Sequence, residues 1–91
     1  MNRPINPMRR KQIIRALLDA LAMAGGYALE DSLLFGFVND LVKPPLENEE
    51  RTVITKFCDD EGWIRLVPDS MDPGLKQWVI TELGRNTLAS L

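Results

Sequence analysis

The spacing of apolar positions changes along the chain, and each change predicts a new element. Ile13, Ile14, Leu17, Leu18 and Leu21 recur at the one-and-four spacing of a helical stripe, which predicts a helix from about Pro7 to Ala24, stopped by Gly25-Gly26. Residues 27–29 (Tyr-Ala-Leu) then offer a short extended piece. A second helix, capped by Asp31 or Ser32, carries Leu33, Leu34, Phe37, Val38, Leu41 and Val42 as its inward stripe and ends at Pro44-Pro45. On that register Phe35 faces outward, as a contact for a partner.

A third helix, about Glu47 to Glu61, turns Val53, Ile54, Phe57 and Cys58 inward, has Glu47, Glu49 and Glu50 in its first turn, and stops at Gly62. The pattern then shortens to two runs, 63–67 and 76–81, around a connector rich in proline, aspartate and glycine. That is the signature of an antiparallel hairpin with a long tip. Thr81 caps a last helix, about Glu82 to Leu91, with Leu83, Leu88 and Leu91 on its buried side. The expected core joins Leu17, Leu21, Leu34, Phe37, Val38, Leu41, Val53, Ile54, Phe57, Trp78 and Ile80.

Helix, short strand, helix, helix, strand, loop, strand, helix is the order of a winged helix-turn-helix: mainly α, with a small β-hairpin as the wing. Two motifs strengthen this reading. Asp60-Glu61-Gly62-Trp63-Ile64 closes the third helix, and Ile80-Thr81 leads through Gly84-Arg85 to Leu88. At these residues the chain resembles winged-helix transcription regulators of the MarR, PadR and ArsR kind. In size and element order it is also similar to small winged-helix proteins of Mu-like phages and prophages. The resemblance implies a DNA-binding regulator whose third helix enters the major groove.

Length allows one core: 91 residues divide into a basic arm, 1–7, and a single winged-helix domain, 8–91. No apolar run is long enough for a membrane span, and no secretory signal is recognisable, so no membrane partner is expected. The lone Cys58 forms no internal disulfide, which fits the cytoplasm. The absence of histidine removes the usual general base and the commonest zinc ligand, and the clustered acids Asp59, Asp60 and Glu61 point in different directions on a helix. We therefore expect no enzyme, and no catalytic, cofactor or metal residues.

Charge is distributed unevenly. Residues 1–15 contain Arg3, Arg9, Arg10, Lys11 and Arg15 and no acid, whereas residues 16–91 contain six basic and thirteen acidic side chains. On the winged-helix reading Arg9, Arg10, Lys11 and Arg15 hold phosphates, while Asn48, Arg51, Thr52, Thr55 and Lys56 present the groove-facing side of the third helix, with Lys76 on the wing. Acids beside them (Glu49, Asp59, Asp69, Asp72) oppose the electrostatic attraction to duplex DNA. A monomer should thus bind weakly, and a homodimer using Phe35 and Leu91 would let two half-sites add. The same mixed-sign surface would also suit a protein-interaction module that has kept the fold without the DNA contact.

Overall fold

A computed structural model describes residues 5–91. The elements follow in the order α1 (Pro7–Met23), β1 (Leu29–Glu30), α2 (Asp31–Leu41), α3 (Asn48–Asp60), β2 (Ile64–Leu66), β3 (Gln77–Ile80) and α4 (Glu82–Ser90). This is the expected order, and the hairpin is antiparallel with Ile64 opposite Ile80 and Leu66 opposite Trp78. The short extended piece after α1 joins the far edge of β3, giving a three-stranded sheet in the order β1-β3-β2. Among the described residues no helix is long and apolar enough to cross a membrane.

Each helix start is satisfied locally. Asn6 Oδ1 accepts from the Met8 and Arg9 amides, with Pro7 at the first helical position, where its missing N–H costs nothing. Ile5 packs against the core edge, and residues 1–4 of the expected arm, Arg3 among them, lie outside the described residues. The cap of α2 is Glu30, not Asp31 or Ser32: its two carboxylate oxygens accept from the Ser32 and Leu33 amides. Asp31 is used elsewhere, as described below. Thr81 caps α4 as expected, accepting from the Gly84 amide at 3.0 Å.

The fully buried side chains are Ile13, Leu17, Leu18 and Leu21 of α1, Leu34, Phe35 and Val38 of α2, Ile54 and Cys58 of α3, and Ile64 of β2. Burial pushes the Cys58 thiol up to about 12, so it is a neutral packing group. The α1 stripe is as the sequence predicts. The α2 register differs: Phe35 is 1% exposed, while Phe37 is 47% exposed and Leu33 and Leu41 more so. The helix is apolar on almost every side, so its spacing fits two stripes, 33/37/41 and 34/35/38/42. Contacts outside the helix decide between them. Arg51 of α3 lies over the Phe35 ring at 4.5 Å, and Asn39 Oδ1 accepts from the Leu46 amide, which ties that flank to the connector leading into α3. Val53 and Leu83 are likewise more exposed than expected, while Phe57, Leu88 and Leu91 are half-buried against the core. Phe35 is therefore a core residue and is unavailable as an interface contact.

An ion pair clamps α1 to α3. Arg9 donates to both carboxylate oxygens of Glu50, at 2.7 and 3.0 Å, and to the Pro44 carbonyl at 3.0 Å, joining the start of α1 to α3 and to the connector before it. The hydrogen bond from Arg9 holds the Glu50 carboxyl below its ordinary range. Because its pKa is depressed in the folded state, this pair stabilises the protein above the unfolded value of 4.5 and loses its effect as pH falls through the lower folded value. Replacing Glu50 by Gln should cost about 1–2 kcal/mol near neutral pH. The difference from the parent should shrink on acidification below that value, as read by urea denaturation across pH. A pH-independent difference would show that the charge contributes nothing.

Candidate nucleic-acid interface

The outward face of α3 and the wing enclose an open cleft of about 430 Å³. Asn48, Arg51, Thr52, Thr55 and Lys56 of α3 and Lys76 beside β3 all line it. These six residues are twenty or more positions apart at the extremes, and the fold brings them together because β3 is pinned beside the start of α2. The Asp31 amide donates to the Lys76 carbonyl at 2.9 Å.

Arg51 is the most organised of the six. Its NH2 donates to Asp31 Oδ2 at 2.8 Å, and its guanidinium stacks on Phe35. The other oxygen of Asp31 accepts from Trp78 Nε1 at 3.0 Å. One carboxylate therefore joins α2, α3 and the wing, and holds an arginine in a fixed plane with its remaining donors uncommitted to this pair. Asp31 and Trp78 are the residues that sequence reasoning missed as part of this site. A lone acid at a helix start reads as a cap, and a strand tryptophan as core; a pairing across 47 residues leaves no mark in local spacing.

The others are less constrained. Thr52 donates back to the Asn48 carbonyl, and Lys56 pairs with Asp60 one turn on, both largely in solvent. Such an exposed pair exchanges readily for another anion. Asp59 and Asp60 also line the cleft, so its fixed charges nearly balance. At the wing tip Asp69 accepts from the Met71 and Asp72 amides and Asp72 from the Gly74 amide; these acids shape the turn.

The four cations of α1 do not share this cleft. Arg9 is engaged by Glu50, and Arg10 lies over the Phe57 ring at 4.2 Å, where Trp63 packs edge-on against Phe57. Lys11 and Arg15 are exposed one turn apart on α1.

No protein-family model and no curated protein sequence matches the chain. Solved structures do. The PcaV transcriptional regulator from Streptomyces coelicolor, crystallised with its natural ligand, is 18% identical and superposes with a TM-score of 0.67 over 84% of this chain and 48% of PcaV. The chain thus spans about half the length of that regulator. TA0346 from Thermoplasma acidophilum is 13% identical with a TM-score of 0.74, covering 96% of this chain and 81% of TA0346. SSV1 F-93 is 21% identical with a TM-score of 0.62, covering 85% and 79%. The four helices, the helix-turn-helix formed by α2 and α3, and the antiparallel wing make this chain a winged-helix protein, with the architecture shared by the PcaV regulator.

Proposed function

We propose that the protein is a transcriptional regulator that binds duplex DNA through α3 and the wing and acts as a homodimer in the cytoplasm. The observation that carries this reading is the gathering of Asn48, Arg51, Thr52, Thr55, Lys56 and Lys76 around one cleft, in a fold shared with the PcaV regulator. Arg51, held by Asp31 and stacked on Phe35, suits bidentate recognition of a base edge, the commonest specific contact of arginine being with guanine. Lys56 and Lys76 suit phosphates, as do the exposed Lys11 and Arg15. Arg9 acts indirectly, by fixing α1 against α3.

The near balance of charge in the cleft limits what one copy can do, since phosphate neutralisation supplies most non-specific affinity. Two copies on neighbouring half-sites overcome this limit. The test is titration of random and G-rich duplexes at several salt concentrations. Lys56→Ala and Lys76→Ala should each weaken binding to all sequences and reduce the salt slope by about one. Arg51→Ala should instead flatten the preference between sequences, by about 1–3 kcal/mol at the position it reads. No duplex binding even at low salt would reject the proposal in favour of a protein-interaction module.

A further inference from the structure

We propose that the flank of α2 carrying Leu33, Phe37 and Leu41 is an isologous interface that pairs with the same flank of a second copy of this chain. The register that buries Phe35 leaves these three side chains 52%, 47% and 61% exposed, in one line at four-residue spacing. Phe37 and Leu41 border an open groove of about 390 Å³ whose other wall is Ala20 and Met23 of α1, Ala24 just past its end, and Leu29 of β1. Met23 is 85% exposed, and Tyr27, in the connector between Met23 and Leu29, is 80% exposed.

Area and symmetry together name the occupant. Taking about 200 Å² for a fully exposed large side chain, Met23, Leu33, Phe37 and Leu41 leave on the order of 500 Å² in water. That is toward the upper end for the largest patch on a monomer, and is more than half of the roughly 800 Å² that each partner contributes to a stable complex. The row 33/37/41 is also symmetric about Phe37. When two α2 helices cross antiparallel, Phe37 meets its twin and each Leu33 meets a Leu41, so the surface complements itself as a twofold contact requires. Asp40, at the groove edge, lies three residues past Phe37; antiparallel pairing separates the two Asp40 carboxylates by about 9 Å along the helices.

The position also suits the site on α3. Phe35 and Phe37 are two residues apart, about 200° around the helix, so the proposed interface is on the opposite flank of α2 from the contact with α3. Pairing leaves the α3 cleft open. In a single layer, three helix spacings of about 8–10 Å put the two α3 axes about 24–30 Å apart, somewhat under one turn of duplex, about 34 Å. This last consequence rests on the DNA-binding reading; the interface itself does not.

Light scattering on the full chain at tens of micromolar should give twice the 10.3 kDa chain mass. Phe37→Glu and Leu41→Lys should each halve that mass, with unchanged circular dichroism and little loss of thermal stability. Under mild oxidation Phe37→Cys should cross-link into covalent dimers and Leu91→Cys should not; the native Cys58 is buried and does not compete. A monomeric parent, whether or not the groove takes up some other hydrophobic partner, would overturn the proposal. So would a dimer that survives both charge substitutions, or one that cross-links through Leu91→Cys and not through Phe37→Cys. DNA binding by a monomeric parent would leave duplex binding through α3 and the wing standing, and would reject this interface together with the homodimer.

Discussion

Replacing Gly84 by alanine should destabilise the protein by about 3 kcal/mol or more, enough to lower the melting temperature of a domain this size by roughly 15 °C. A Cβ at Gly84 would stand 2.1 Å from the Trp63 carbonyl oxygen and 2.9 Å from the Ile80 side chain. The carbonyl cannot give way cheaply, because it accepts from the Thr81 amide at 3.0 Å and lies 3.1 Å from the Thr81 hydroxyl. That hydroxyl in turn accepts from the Gly84 amide, so moving α4 outward breaks its cap as well. Helix propensity runs the other way, favouring alanine by up to about 1 kcal/mol, and the backbone clash outweighs it. Arg85→Ala, one residue on and exposed, should change stability by less than about 0.5 kcal/mol. Equal melting temperatures for Gly84→Ala and Arg85→Ala would show that α4 does not pack on the Trp63 carbonyl as closely as described.

This closeness explains why the Thr81 and Gly84 motif is legible in the sequence. A cap and a backbone-to-backbone contact each demand one residue type at one position, so they leave a readable mark. The same is true of α1, whose outward face is polar or charged at Lys11, Gln12 and Arg15 and so leaves one apolar stripe to bury. α2 lacks such a contrast. With Leu33, Leu34, Phe35, Phe37, Val38, Leu41 and Val42 spread around it, spacing alone admits two registers, and the choice depends on Arg51 and Leu46, which belong to later segments. The cleft shows both outcomes. Its α3 members share one helix face and could be named from periodicity, whereas the Asp31 link between Arg51 and Trp78 depends on chain reversal at the wing.

The two registers of α2 make opposite demands on stability, and Phe35 against Phe37 is the direct comparison. Phe35→Ala should cost about 3–5 kcal/mol, because it empties a site with 1% exposure in a core shared by α1, α2 and α3. It also removes the ring beneath the Arg51 guanidinium, a stacking contact that adds about 0.5–2 kcal/mol and keeps that arginine in one plane. Phe37→Ala should cost under about 1 kcal/mol per folded monomer, since the ring is already half in water. Its larger effect should be on association, seen as a denaturation midpoint that no longer rises with protein concentration. Chemical denaturation of both variants at two protein concentrations separates the terms. If Phe37→Ala proves the costlier of the two at the lower concentration, the helix is turned the other way; Arg51 then has no aromatic support, and the surface assigned to a second copy is part of the core.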